Sequence, residues 1–364
     1  MPKKASKKTT TEKALSILEK GATRAETPDE YLSLGCPLLN LAVSGEWRKG
    51  LRKGTYMFYA GDSSSGKTLA TLTQLAEAAN DPKFDDYELW HIDAEVGNFF
   101  DFELFFGKKA AKRIQVLRPQ DGEPMLLEFV YDWIEAKIDA GVKLVVVVDS
   151  FDSLSSEAKE KKISEDAKLR AEGKEISGKY TDGKPKVNSE RLSRIMSKLA
   201  KNGSIMTGIC QIRDNMNAGL YGPKHNRGGG HAIKFNASVE IWTVPGEKMK
   251  KSVNDKDRII GYYTRFNIKK NRVNGRERTV TIPILPDVGM DATGAAVDFL
   301  VDEKVWAESS GRIASTLYEA TYRREELIRK IEDDGKEPEL YEAMQAAWDG
   351  IESKLKVERK PRYE

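Results

Sequence analysis

The sequence predicts an α/β protein whose core is a mostly parallel central sheet. From about residue 31, short apolar runs typical of strands alternate with amphipathic segments typical of helices. The run LVVVVD has no polar residue before its final aspartate, as expected for a strand covered on both faces of a parallel sheet. A glycine-rich loop, GDSSSGKT, lies between one such strand and a helix. Together these observations favour an open sheet built from strand–helix–strand units.

The strands of this sheet are expected to alternate with helices along the chain. The expected strands are TYMFYA, ELWHIDAE, RIQVLRP, KLVVVVDS and SIMTGICQ, and the clearest helix between them covers residues 122–141. Beyond residue 237, SVEIWTV, GYYTRFNIKKNRV and RERTVTIPIL are also expected to be strands. The last two meet at Asn274-Gly275, a dipeptide that favours a tight hairpin turn.

Two segments interrupt the alternation. Residues 157–189 are highly charged and poor in apolar side chains, and residues 212–230 are polar and rich in glycine. Because segments of this length without periodicity are usually functional or disordered, we expect two long loops.

The expected domain organisation has three parts. Residues 1–30 form a basic arm, either a solvated tail or a helical arm that docks on a neighbouring subunit. Residues 31–302 form the α/β core, and residues 303–364 form a small, charge-dense helical region.

The bulk composition excludes several classes of protein. The chain has 364 residues and a net charge of +3, so any basic surface must be local. Its two cysteines, Cys36 and Cys210, both lie in apolar runs, which argues against a disulfide framework. No run approaches the roughly 18 apolar residues of a membrane span. We therefore expect a cytoplasmic protein without a membrane partner.

The loop GDSSSGKT matches the pattern G-x-x-x-x-G-K-[ST] in full, within the strand–loop–helix frame that the pattern requires. Its glycines let backbone N–H groups surround phosphate oxygens, and the next helix adds positive potential at its N-terminus. Lys67 is expected to reach the β- and γ-phosphates of ATP, and Thr68 to coordinate Mg²⁺. A serine-rich loop that binds no nucleotide is the alternative. The residues expected to hold the nucleotide are Gly61, Asp62, Ser63, Ser64, Ser65, Gly66, Lys67, Thr68 and Leu69.

Two carboxylates follow the ends of predicted strands. Asp149 ends LVVVVD at the sheet edge where ligands bind, so it is expected to bind the nucleotide and to hold Mg²⁺ with Thr68. Glu95, just past another strand, is expected to polarise the water that attacks the γ-phosphate. Asp93 is its nearest rival, and a cap on the next helix is the structural alternative for Glu95.

A polar loop that begins after Gln211 indicates a nucleic-acid partner. Gln211 ends a predicted strand, so it is placed to sense the γ-phosphate and pass that signal into residues 212–230. The glycines and cations of this loop suit close approach to a phosphodiester backbone. An ordinary surface loop is the alternative. The candidate DNA-binding residues are Arg213, Lys224, Arg227, Gly228, Gly229 and Gly230.

A basic stripe on the predicted helix SERLSRIMSKLAKN supports the same interpretation. Arg191, Arg194 and Lys198 are spaced by three and four residues, so they share one helix face. We expect this face to contact DNA, while a solvated basic surface is the alternative.

The ordered set of motifs resembles the RecA-type recombinases, including their phage-encoded UvsX-like branch. It comprises LGCPLLNLAVSGE, GDSSSGKT, HIDAE, VVVVDSFDSL, QIR, GGGHAIKFNASV and TRFNIKKNR, spread over roughly residues 33–300. The resemblance implies a RecA-like P-loop NTPase core that uses ATP and Mg²⁺. It also implies helical filaments on single-stranded DNA, strand exchange with homologous double-stranded DNA, and a place in the bacterial cytoplasm.

The same resemblance implies roles for individual residues. Glu95 is the glutamate that activates water, and Gln211 links the γ-phosphate to DNA. Lys270 and Arg272 match two basic residues that reach the ATP of the neighbouring subunit, although from the residues alone they are only a basic strand end. Phe235 matches an aromatic side chain near the subunit interface, with a place in the core as the alternative. A single-strand-binding protein and a filament loader are accessory partners to consider.

Two other functions are open at this level. A replicative-helicase-like hexameric motor shares the same core fold, and would form closed rings that unwind duplex DNA. A non-enzymatic DNA-binding or mediator protein would bind ATP without useful turnover.

Overall fold

The computed structural model describes residues 31–97, 100–174, 183–214, 225–227 and 230–359. For residues 213–214 and 225–227 the description covers the backbone alone. The predicted N-terminal arm, residues 1–30, lies outside the described residues, so both of its interpretations stay predictions.

The described strands confirm the predicted α/β class. They are β1 (Tyr31–Leu32), β2 (Leu51–Arg52), β3 (Tyr56–Gly61), β4 (Tyr87–Asp93), β5 (Ile114–Leu117), β6 (Lys143–Asp149), β7 (Ile205–Asp214), β8 (His225–Arg227), β9 (Val239–Val253), β10 (Lys256–Asn271), β11 (Thr279–Leu285), β12 (Gly289–Met290), β13 (Ala307–Ser309), β14 (Arg312–Ala314) and β15 (Thr321–Tyr322). The main sheet runs in the order β12-β11-β10-β9-β3-β7-β6-β4-β5, with β8 paired to β7. The pairings from β5 across to β9 are all parallel, and β10, β11 and β12 add antiparallel strands.

The described helices cover both faces of this sheet. They are α1 (Pro37–Ser44), α2 (Lys67–Asn80), α3 (Phe102–Arg113), α4 (Leu127–Asp139), α5 (Glu157–Ala171), α6 (Lys184–Asn202), α7 (His231–Asn236), α8 (Ala292–Asp302), α9 (Arg324–Asp333) and α10 (Glu337–Lys354). Helices α1, α2, α8, α9 and α10 bury apolar side chains in one core cluster, while α4 and α6 bury theirs in a second.

Strand β6 separates the two clusters and explains the unbroken apolar run. Val145 and Val147 belong to one cluster, and Val146 and Val148 belong to the other. Because successive side chains of a strand point to opposite faces, a strand with helices on both sides is expected to be apolar at nearly every position.

A long hairpin was only partly predicted. Strand β9 does not end near residue 244 but continues to Val253, and β10 begins at Lys256. The two residues between them, Asn254 and Asp255, have φ values of 54° and 58°, the left-handed pair that a tight two-residue hairpin turn requires. Residues 244–261 include few apolar side chains, so hydrophobic alternation could not reveal these strands.

The predicted loop at residues 157–189 is wrong for much of its length. Helix α5 occupies Glu157–Ala171, and α6 begins at Lys184. None of the side chains of α5 is buried, so the helix leaves no apolar stripe in the sequence. Its start is instead set by Ser156, whose side chain accepts a hydrogen bond from the backbone N–H of Lys159.

The C-terminal region is more mixed than the expected helices. Strands β13, β14 and β15 form a small antiparallel sheet before α9 and α10 begin. Leu327, Leu340 and Met344 from these two helices are fully buried in the same cluster as the core. The described helices include none that is both long enough and apolar enough to cross a membrane.

Candidate nucleotide site

The phosphate-binding loop joins the end of β3 to the start of α2. Gly66 has φ of 82°, a left-handed backbone conformation that favours glycine. The Lys67 side chain is only 7% exposed. Its Nζ donates to the backbone oxygens of Gly61 at 3.0 Å and Asp62 at 2.6 Å. The Lys67 ammonium is thus held by backbone carbonyl groups of its own loop.

The N-terminus of α2 is built to receive an anion. Gly66 precedes the helix and offers no side chain to cap it, and its first turn contains no acidic residue. The first N–H groups of a helix need an external acceptor, and the helix dipole favours a negatively charged one. A phosphate at this position satisfies both requirements.

Asp149 and Thr68 meet beside the loop, as predicted. The Thr68 hydroxyl donates to Oδ2 of Asp149 at 2.8 Å, and Asp149 is 4% exposed. Burial lowers the pKa of Lys67, while the nearby carboxylates of Asp149 and Glu95 oppose that effect. The site therefore concentrates one cation and two anions at the end of the parallel strands.

Glu95 lies at the same edge and is held by three donors. Its Oε1 accepts hydrogen bonds from Ser150 Oγ at 2.7 Å, Ser153 Oγ at 3.2 Å and Gln211 Nε2 at 3.0 Å. Gln211 reaches it because β7 pairs with β3 so that Gln211 lies opposite Gly61. Ser150 and Ser153 were missed from the sequence, although their place just after Asp149 was an available signal.

The alternatives to Glu95 are not favoured by the geometry. Asp93 is fully buried, and its Oδ2 accepts a hydrogen bond from Arg118 Nε at 3.0 Å. The next helix, α3, is capped by Asp101, whose side chain accepts from two backbone N–H groups. Glu95 is therefore neither buried in an ion pair nor used as a helix cap.

A cavity of about 360 Å³ brings these groups together. Lys67, Thr68, Glu95 and Asp149 line one part of it. Its apolar lining is formed by Phe100, Phe105, Tyr262, Ile284 and Pro286. The volume falls in the range of small-molecule sites, and the division into polar and apolar linings suits a nucleotide.

The donor set fits ATP with Mg²⁺. Backbone N–H groups and Lys67 are suited to phosphate oxygens, and a hydroxyl and a carboxylate are oxygen ligands of the kind that Mg²⁺ prefers. Mg²⁺ at nucleotide sites usually takes only one or two protein ligands, so Thr68 and Asp149 suffice.

Lys270 and Arg272 lie away from this cavity. Lys270 on β10 lies opposite Glu240 on β9. Along β9, Glu240 comes three residues before Thr243, which lies opposite Gly61 of the loop. At roughly 3.3 Å per residue, this places Lys270 at least about 10 Å from the loop, toward the opposite edge of the sheet. Their side chains instead donate to backbone oxygens at the end of α7.

Comparison with known proteins decides the family. The RecA N-terminal domain family matches residues 7–291, which is most of the chain. This protein belongs to the RecA family. The protein RecA of Chlorobium limicola is 26% identical over 294 residues, which cover 79% of this chain and 73% of the relative.

The basic stripe of this RecA-family protein is paired with acidic side chains of the same chain, and its contact with DNA stays a prediction. Arg191 pairs with Asp132 at 2.8 Å, and Arg194 pairs with Glu135 at 3.0 Å. Lys198 lies 3.3 Å from Glu135 and 2.5 Å from the carboxylate of Asp139. All three acids belong to α4, which packs beside α6. The sequence could not show that the basic stripe meets an acidic one.

The predicted DNA loop lies mostly outside the described residues. This applies to Lys224, Gly228 and Gly229, and only the backbone is described for Arg213 and Arg227. That backbone forms a short antiparallel pairing of β7 with β8. Gly230 is described, with φ of 82° immediately before α7. The assignment of these residues to DNA stays a prediction.

The β9–β10 hairpin adds a cationic surface that was missed from the sequence. Lys251 lies directly opposite Arg258, and Lys256 lies on the same face two residues away. All three side chains are exposed, and they form no ion pair with any described residue. We call this set the hairpin cations. Like charges placed opposite each other are unfavourable alone, so an anionic partner would stabilise them.

Proposed function

We propose that this protein is a DNA-dependent ATPase that forms helical filaments on single-stranded DNA and catalyses homologous pairing and strand exchange. Membership of the RecA family supports this function over the ring-forming motor. The observation that carries it is the 3.0 Å hydrogen bond from Gln211 Nε2 to Glu95 Oε1. It joins the carboxylate at the nucleotide site to the strand that leads into the predicted DNA loop.

ATP is held by the phosphate-binding loop and the apolar wall of the cavity. Lys67 exchanges its bonds to the loop carbonyls for bonds to phosphate oxygens, which compensates a buried ammonium better than neutral acceptors do. Mg²⁺, held by Thr68 and Asp149, would neutralise phosphate charge as the γ-phosphate leaves.

Glu95 orients and deprotonates the attacking water. All its donors among the described residues bond to Oε1, so Oε2 is available to accept a proton from water. The two serine hydroxyls keep the carboxylate in place from the side of Asp149. With Oε1 held by these donors and Oε2 facing water, Glu95 needs to be exposed to the cavity rather than buried.

Gln211 couples the nucleotide to DNA. Its backbone N–H donates to Oδ2 of Asp152 at 2.7 Å, so the end of β7 is anchored while the side chain remains directed at Glu95. A bound γ-phosphate would compete with Glu95 for the side-chain amide of Gln211. The position of Gln211, and with it the start of residues 212–230, would then depend on the nucleotide. The DNA affinity of the loop and the nucleotide affinity of the cavity are then linked, and each alters the other by the same factor.

The neighbouring subunit completes the ATP site. Lys270 and Arg272 cannot reach the loop of their own chain, but they surround the exposed end of α7. Phe235 at this end is 71% exposed, which argues against its place in the core and suits a contact between subunits. Two cations from a neighbour would neutralise phosphate charge as an arginine finger does.

Residues 212–230 and the hairpin cations are the DNA-facing elements of this proposal, and Arg191, Arg194 and Lys198 are omitted because they are paired within the chain. We propose that the protein acts in the bacterial cytoplasm and that it is a phage-encoded member of the UvsX-like branch of these recombinases. A single-strand-binding protein and a filament loader are its proposed accessory partners.

The test is the ATPase rate with and without single-stranded DNA, combined with electron microscopy in the presence of ATP. We expect stimulation by DNA and open helical filaments. Rings of constant subunit number would favour the motor, and the absence of both stimulation and filaments would refute the proposal.

A further inference from the structure

Three polar side chains are fully buried between α2 and the central sheet. Gln74, His91 and Thr207 are between 0% and 1% exposed. His91 on β4 lies opposite Val147 on β6, and Val147 lies opposite Thr207 on β7. His91, Val147 and Thr207 therefore share one face of the sheet. Thr207 Oγ1 donates to Gln74 Oε1 at 3.0 Å. The rest of this face is mostly apolar.

Several atoms of this layer have no hydrogen-bond partner among the described residues. They are Nδ1 and Nε2 of His91 and Nε2 of Gln74. A buried polar group without a partner destabilises the folded state, and aliphatic side chains could fill the same space without that cost. A histidine at this position therefore calls for a functional reason.

Asp149 supplies that reason. Nε2 of His91 lies 3.6 Å from Oδ2 of Asp149, the same oxygen that accepts the Thr68 hydroxyl at 2.8 Å. A separation of 3.6 Å is too long for a hydrogen bond, but a shift of about 0.6 Å would bring it into the normal range. Both side chains come from paired strands, so a small adjustment of the carboxylate is enough.

We propose that His91 is a positioning residue for Asp149, whose Nε2–H donates to the carboxylate and fixes its direction toward the bound cation. This rests on the proposed role of Asp149 as a ligand of Mg²⁺. Groups that hydrogen-bond to a metal ligand from outside the metal site orient it, and their loss commonly weakens metal affinity by 10- to 100-fold. With the proton on Nε2, Nδ1 is an acceptor, and the unpartnered Gln74 amide donor lies in the same layer.

The variants separate positioning from packing. His91→Phe keeps an aromatic ring of similar size and removes the donor, while His91→Gln keeps an N–H donor at a similar reach. Thr207→Val is the matched control, because it breaks the bond to Gln74 in the same layer and does not touch Asp149. Circular dichroism and thermal denaturation establish that each variant is folded.

The main measurement is the affinity of Mn²⁺ for the complex with a non-hydrolysable ATP analogue, followed by electron paramagnetic resonance without DNA. We expect His91→Phe to weaken Mn²⁺ binding about tenfold or more, with His91→Gln and Thr207→Val within about threefold of the wild type. Wild-type affinity in folded His91→Phe would overturn the proposal. Because the readout needs neither DNA nor turnover, it is independent of whether the recombinase function fails.

A second measurement uses the wild-type protein and stands even if His91→Phe does not fold. The ¹⁵N shifts of His91, assigned by comparison with His91→Gln, distinguish the two neutral tautomers. We expect the proton on Nε2 in the complex with Mg²⁺ and the ATP analogue. A proton on Nδ1 with Nε2 unprotonated would contradict the proposed donation to Asp149.

Discussion

Glu95 and Asp93 are chemically alike and two residues apart, yet their surroundings differ. Asp93 is fully buried and paired with Arg118, whereas Glu95 is exposed and is oriented by hydroxyl and amide donors. A general base must be accessible to the proton that it takes, which Glu95 is. Side-chain environment, rather than residue type, therefore favours Glu95 as the proposed general base.

Replacing Glu95 with glutamine should lower the ATPase rate by about 10²-fold or more, because an amide cannot accept the proton of water. ATP binding should change little, since Lys67 and the loop are intact. Steady-state turnover and binding of a fluorescent ATP analogue measure the two effects separately. Glu103→Gln, on the exposed surface of α3, is the matched control. Near-normal turnover of Glu95→Gln would reassign the base.

At the scale of elements, a bidentate ion pair joins Glu352 of α10 to Arg278, the residue before β11. Arg278 donates from Nε to Oε1 of Glu352 at 2.6 Å and from a terminal nitrogen to Oε2 at 2.9 Å, and Arg276 also pairs with this carboxylate. Glu352 is 7% exposed. The hydrogen bonds from Arg278 hold the pKa of Glu352 below its ordinary value of 4.5.

Glu352→Gln should lower the free energy of unfolding by about 2 kcal/mol at pH 7, the scale of charge-assisted hydrogen bonds. Because the folded-state pKa is depressed, this contribution is fully present above the ordinary pKa of 4.5 and is lost as pH falls through the folded-state pKa. Urea denaturation of both proteins from pH 7 to pH 3 should show their difference shrinking. Glu358→Gln, an exposed control, should match the stability of the wild type at every pH. A stability difference between Glu352→Gln and the wild type that does not change with pH would argue against the proposed contribution of the Arg278–Glu352 pair.

The hairpin cations permit a test at the same scale. Reversing Lys251 and Arg258 to glutamate should weaken DNA binding and reduce the steepness of its salt dependence, since fewer phosphate counterions are released. For two lost contacts to single-stranded DNA, the log–log slope should fall by about 1.4. The matched control reverses Lys109 and Lys112, two exposed cations on α3. Equal effects of both pairs would show that only net charge matters.

At the scale of the whole molecule, the residues of the proposed ATP site are divided between opposite ends of the parallel strands. The loop, Asp149 and Glu95 lie where the parallel strands end, and Lys270 and Arg272 lie toward the other edge. A single chain cannot bring them together, so the proposed site requires a neighbouring copy. The exposed Phe235 beside the two cations supports the same arrangement.

Mixing Lys67→Ala protein with Arg272→Ala protein should restore part of the DNA-dependent ATPase activity. Each mixture contains interfaces where an intact loop meets an intact Arg272, although neither parent has any. Activity measured across a range of mixing ratios should be greatest near equal amounts. Mixtures as inactive as both parents would indicate that the ATP sites are not shared.

The α/β class, the phosphate-binding loop and the positions of Glu95, Asp149 and Gln211 followed from the sequence alone. These features depend on local order along the chain, namely a strand, its terminal residue and the loop that follows. Parallel strands end at one edge, so residues at those ends must converge.

Only the tertiary structure decided which charges are available. Arg191, Arg194 and Lys198 resemble a binding surface until α4 places three carboxylates against them. The hairpin cations and the buried His91 depend likewise on which strands pair, and residues 157–171 form a helix that buries no apolar side chain. Periodicity reports the face that a segment buries, whereas a charge is satisfied or left unpaired by neighbours distant in sequence.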